Sequence, residues 1–108
     1  MLLKTLISTT IAALLIPPAM GKFMTLKKHP KTTCSGKGGP WRHYNEDVCA
    51  VLSDTDHGIT ASYTNSGCTL YAYGSKDCTG SRISIGDDRD QGCKNVYGKG
   101  SVMVDNCP

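Results

Sequence analysis

Beyond residue 47 the chain alternates short β-prone runs with breaks rich in glycine and aspartate. Residues 48–53 and 59–64 read as strands on either side of the turn-forming Asp54-Thr55-Asp56-His57-Gly58. Asn65-Ser66-Gly67 turns the chain into 69–73, where β-branched and aromatic residues dominate. Ile83 and Ile85 alternate within 82–85, as do Val102 and Val104 within 101–104, each pair on one strand face. Residues 94–97 form a further strand between the polar loop 86–92 and Gly98-Lys99-Gly100. Strands at roughly 8–12-residue spacing, broken by glycine turns, predict an all-β fold, a small sandwich or barrel. One helical signal competes. Asn45 stands as a cap ahead of Glu46-Asp47, and Val48, Val51 and Leu52 share a helical face over 44–52.

The N-terminal pattern is different. Lys4 precedes an apolar stretch over 6–16, then Pro17-Pro18 and the small residues of Ala19-Met20-Gly21. This is the anatomy of a removable signal peptide over residues 1–21, and the stretch is shorter than the roughly 20 apolar residues of a spanning helix. Residues 22–42 carry Lys22, Lys27, Lys28, Lys31, Lys37 and Arg42 with no acid, and include Pro30, Gly36, Gly38, Gly39 and Pro40. Residues 22–33 read as a flexible basic arm that contacts an anionic surface through Lys27, Lys28 and Lys31; Lys27-Lys28 is also a dibasic processing signal. All 9 acids follow, against Lys76, Arg82, Arg89, Lys94 and Lys99. The domain 34–108 is therefore mildly acidic, which argues against a dedicated nucleic-acid binder.

The apolar inventory after residue 33 is lean: Val48, Val51, Leu52, Ile59, Leu70, Ile83, Ile85, Val96, Val102, Met103 and Val104, with Trp41 and five tyrosines. So small a core needs reinforcement, and Cys34, Cys49, Cys68, Cys78, Cys93 and Cys107 supply it. Zinc sites bring cysteines in close pairs, whereas the nearest two here, Cys68 and Cys78, have nine residues between them. An even count behind an export signal predicts three disulfides, each contributing about 2–4 kcal/mol, and an extracellular location.

Tyr73, Gly80 and Ser101 resemble the β/γ-crystallin Greek-key motif. In that family an aromatic is followed by four residues, a second aromatic, any residue and a glycine, with a serine opening the last strand. Cys78 stands at the second aromatic position. The resemblance covers 70–80 and 100–104 as a single copy, with no counterpart before Cys68. It implies a Greek-key C-terminal half in which the serine hydroxyl bonds into a fold-over turn. It also implies Cys68 joined to Cys107 at the ends of neighbouring strands. Pairing Cys78 with Cys93 would bracket the 82–85 hairpin and leave Cys34 with Cys49. The calcium-binding residues of the family are absent from Val96-Tyr97-Gly98-Lys99-Gly100-Ser101, so no metal and no cofactor is expected; Asp87, Asp88 and Asp90 read as a solvated loop.

In format the chain resembles small secreted cysteine-rich proteins of filamentous fungi, a class that includes host-directed effectors, antifungal proteins and killer-toxin-like proteins. The expectation is a monomeric, non-enzymatic secreted binder, an effector or virulence factor acting on a host target. Its partner would be a host or competitor protein, a glycan or a membrane surface. Trp41, between Pro40 and Arg42, is the leading exposed aromatic, while Tyr73 and Tyr97 are assigned to packing. An antimicrobial protein acting at a cell surface is the first alternative. A small ribonuclease is the second: secreted guanyl-specific ribonucleases resemble the chain in size, and His43 or His57, Glu46 and Arg82 are the residues that would act. The family's C-terminal histidine is missing, however, since no histidine follows His57.

Overall fold

The computed structural model describes residues 22–108; residues 1–21, where the sequence predicts a signal peptide, lie outside the described residues. Eight strands follow in order: β1 (Phe23–His29), β2 (Trp41–Asn45), β3 (Cys49–Val51), β4 (Gly58–Ser62), β5 (Thr69–Tyr73), β6 (Arg82–Asp87), β7 (Lys94–Asn95) and β8 (Ser101–Asp105). They form two antiparallel four-stranded sheets, ordered β2-β1-β4-β7 and β3-β8-β5-β6. No helix occurs among the described residues. The helical signal over 44–52 resolves into β2, a turn and β3. Asp47 adopts φ 65° and donates its N–H to Val104 O at 2.8 Å, so the backbone is tied to β8 instead of to its own next turn.

The two halves of the chain repeat one connectivity. β1 pairs with β2 and β4, and β5 pairs with β6 and β8. The third strand of each half crosses to the other sheet, β3 onto β8 and β7 onto β4. Register makes the equivalence residue-specific: His29 faces Gly58 as Tyr73 faces Ser101. His57 N–H bonds to His29 O and Gly100 N–H to Tyr73 O, both at 2.9 Å. Leu52 N–H reaches Gly100 O and Val96 N–H reaches His57 O, again at 2.9 Å. A second, degenerate copy of the sequence motif thus precedes Cys68, where none was expected. His29, Cys34, Gly36 and Gly58 stand in it where Tyr73, Cys78, Gly80 and Ser101 stand in the other. The histidine and the glycine conceal it.

This repeat corrects the disulfide pairing. Cys68–Cys107 forms as expected, but the others are Cys34–Cys93 and Cys49–Cys78. Crossing of the third strands carries Cys49 to the turn after β5 and Cys93 to the turn after β1. The two bonds are equivalents under the repeat. Cys34 and Cys78 take left-handed φ values of 60° and 58°, each two residues before a glycine at φ 77° or 84°. In the second half the Ser101 hydroxyl donates to Ser75 O at 2.7 Å and accepts from Cys78 N–H at 3.0 Å, the bonding the motif implied.

Residues 22–33 are not a mobile arm. Met24 and Leu26 are 0% and 1% exposed, and they pack with Ile59, Ala61, Leu70, Ala72, Val102 and Val104 between the sheets. The alternation of Phe23-Met24-Thr25-Leu26 is that of a half-buried strand, and the adjacent lysines mask it in the charge pattern. Of the residues expected in the core, Val51 and Ile83 are about half exposed on the sheet-edge strands β3 and β6, and Val48 is equally exposed in the turn before β3. Tyr73 is buried as expected, but Tyr97 is 68% exposed.

Gly58 occupies the tightest point of the repeat. A Cβ there would meet Lys31 O and come within 2.8 Å of Cys34 Sγ. We expect Gly58→Ala to destabilise the protein by about 1–3 kcal/mol, the usual scale of overpacking. Gly74→Ala, with open space around it, should stay within about 0.5 kcal/mol of the parent. Urea unfolding of the oxidised proteins measures both; equal effects would contradict the packing.

Candidate binding surface

The β1–β2 hairpin gathers the basic segment onto folded strands. Antiparallel register sets Lys27 opposite Trp41 and Leu26 opposite Arg42. Side chains alternate across the sheet, so two rows result. On the outer face the Lys27 ammonium lies 5.7 Å from the Trp41 ring centroid, and Phe23 stacks on His43 at 4.6 Å. Trp41 is 49% exposed, as expected of a contact residue. On the inner face Lys28 continues the row of Met24 and Leu26. Its ammonium leaves the edge of the sandwich to donate to Val51 O at 3.1 Å, near Asp56 (3.9 Å) and 5.8 Å from the Tyr44 ring. Lys28 is therefore a structural tie as well as a charge. Lys31 is exposed in the turn after β1, where its carbonyl accepts from Cys34 N–H.

Arg42 projects on the Tyr44 side and lines an open cleft of about 320 Å³ between the 30–40 connection and the loop carrying Thr55 and Asp56. Lys37, Pro30, Pro40 and Tyr44 complete its working walls. The sequence brought Lys37 and Arg42 together only as charge; that Asp56 closes the far side depends on long-range strand pairing. A second cleft of about 540 Å³ is lined by charges of both signs, among them Asp54, Asp56, Lys76 and Lys99. The positive charge of 22–42 thus sits on the folded surface and not on a separate arm, so charge placement alone does not argue against a nucleic-acid partner.

The residues weighed for catalysis are dispersed. His43 lies on the outer face of β2, and Glu46 accepts from Lys22 N–H at 2.8 Å beyond that strand's end. His57 packs edge-on against Tyr97 and engages Asp54 O. Arg82 belongs to the opposite sheet, where it pairs with Asp105 at 2.7 Å and stacks over Tyr71 at 3.8 Å. The hydrogen bond from Arg82 holds the Asp105 carboxyl below its ordinary range.

Of the acidic loop, Asp88 is fully buried, not solvated. Burial pushes its carboxyl up, but bonds from the Thr64 hydroxyl and from the N–H and hydroxyl of Ser66 outweigh this and leave it lowered. It ties the linker between the halves to the loop after β6. Asp87 caps that loop through the N–H groups of Arg89 and Asp90, and Asp90 pairs with Lys94. No cluster of metal-ligating side chains occurs among the described residues.

No family model, curated protein or solved structure matches the chain. A small all-β domain with three disulfides and no free cysteine fits a cysteine-rich protein of an oxidising, extracellular setting.

His29, beneath the hairpin connection, is 6% exposed and pairs through Nε2 with Thr60 Oγ1 at 3.0 Å, while its Nδ1 has no partner among the described residues. Burial first, and then the Lys27 charge, lowers its pKa from the ordinary 6.5. The unfolded chain consequently takes up a proton at a pH where folded His29 refuses it. Stability should fall as pH drops below 6.5 towards the lowered value. In urea titrations His29→Gln should flatten that slope; an unchanged slope would assign the acid sensitivity elsewhere.

Proposed function

We propose that this is a secreted, non-enzymatic binding protein, an effector of the kind fungi direct at a host, and that the β1–β2 hairpin is its recognition element. We further propose that its halves are crystallin-like Greek-key units, a reading supported by their repeated connectivity. The observation that carries the functional reading is the concentration of Lys27, Lys31, Lys37, Arg42 and half-exposed Trp41 on one hairpin. Cations beside an exposed aromatic suit an anionic, partly apolar surface. Anchoring the hairpin in a disulfide-bonded sandwich reduces the ordering cost of binding.

Dispersal of His43, His57, Glu46 and Arg82 favours binding over RNA cleavage. The same hairpin would serve an antimicrobial protein, and growth inhibition of other microbes in place of host-specific activity would mark that role.

Lys27→Gln, Lys31→Gln and Lys37→Gln combined should weaken association with isolated host cell surfaces. The difference should shrink as salt rises past about 0.15 M, where the Debye length is about 8 Å. Thermal stability should change little, since none of the three makes a buried ion pair. Glu46→Ala, beyond the end of β2, should bind as the parent does. Undiminished binding by the triple variant would refute the assignment of the surface.

A further inference from the structure

The inner-face cleft differs from a general basic patch in the way its groups are divided. Lys37 and Arg42 line it, and neither has a hydrogen-bond or ion-pair partner among the described residues. Lys28 is engaged already by Val51 O and Asp56. Acceptors stand on the side formed by the 53–57 loop. Asp56 Oδ2 is bonded to Ser53 N–H at 2.8 Å and lies near Lys28, whereas Oδ1 has no partner among the described residues. Among the described residues the Thr55 hydroxyl bonds only with the Ser53 hydroxyl, at 3.1 Å. Between the two sides are the half-buried Tyr44 ring and the exposed Pro30 and Pro40. The volume, about 320 Å³, is at the lower end for small-ligand sites, roughly 300–1,000 Å³.

Free cations, an apolar middle and free acceptors select a ligand with an anion at one end, a weakly polar ring face and hydroxyl donors beyond it. A guanidinium binds a carboxylate through two parallel N–H···O bonds, and an aromatic ring receives the C–H face of a sugar. A phosphate group satisfies only the cations and offers no donor to the Asp56 and Thr55 oxygens, so it leaves the acceptor side of the cleft without a partner. Resting on the binding role proposed above, we infer that the cleft holds one acidic sugar unit, a hexuronate of an anionic polysaccharide. Its carboxylate would lie between Arg42 and Lys37, its ring on Tyr44, and its hydroxyls towards Asp56 and Thr55.

Titration calorimetry of the intact oxidised protein with an oligogalacturonate tests this. The controls are the methyl-esterified oligomer, polyuridylate and phosphatidylserine vesicles. The acidic oligomer should bind, and esterification should abolish binding. Arg42→Ala should lose about tenfold in affinity, the equivalent of about 1.4 kcal/mol and in the range of a charged hydrogen bond. Arg89→Ala, the same charge change in the loop after β6 and outside the lining of the cleft, should stay within about twofold. Asp56→Asn tests the acceptor side and should weaken the oligomer, not strengthen it. Equal binding of the esterified form, tighter binding of polyuridylate or of the vesicles, or equal losses in Arg42→Ala and Arg89→Ala would overturn the assignment. Absence of oligogalacturonate binding alongside salt-sensitive, lysine-dependent attachment to cell surfaces would reject the cleft ligand and leave the broader binding role standing.

Discussion

Each half of the chain surrenders its third strand to the other half's sheet, and that exchange is the constraint on which the remaining structure depends. β3 lies against β8 and β7 against β4. Each transplanted strand is then bonded covalently to the turn that follows the first strand of the half it joins, through Cys49–Cys78 and Cys34–Cys93. The separations of 29 and 59 residues mean that both bonds restrict long loops of the unfolded chain, the circumstance in which a disulfide stabilises most. Neither half can then open without the other.

The surface inherits its form from this frame. Cys34 and Gly36 fold the chain back after β1, and the 30–40 connection covers buried His29 before β2 begins. Lys27 and Trp41 are brought to one face and Arg42 and Tyr44 to the other by the alternation of paired strands. A charge run that an isolated peptide would leave solvated becomes two ordered rows. The Asp56 side of the cleft comes from the loop before β4, and its position follows from the pairing of β4 with β1.

Local pattern carried much of the fold. Ser101 to Val104 and Thr69 to Tyr73 have the alternation and residue types of half-buried strands, and both are strands. The Ser101 hydroxyl bonds as its place in the motif implied. Where charge and period disagreed, charge misled: Lys27 and Lys28 concealed the strand that buries Met24 and Leu26. Trp41-Arg42-His43-Tyr44-Asn45 has too little apolar character to signal an edge strand, and pairing with β1 defines it. The partners of Cys34 and Cys49 were illegible for a topological reason. Nearness along the chain favours joining them to each other, and only the strand exchange separates them. For the same reason Arg42 and Lys37 were readable as charge but not as one wall of a cleft.

Proteolysis of the unreduced protein, with mass spectrometry of the linked peptides, tests the interlocked frame most directly. Peptides joining Cys34 to Cys93 and Cys49 to Cys78 are the predicted result. Peptides joining Cys34 to Cys49 and Cys78 to Cys93 would confine each bond to one half of the chain and contradict the exchange of strands.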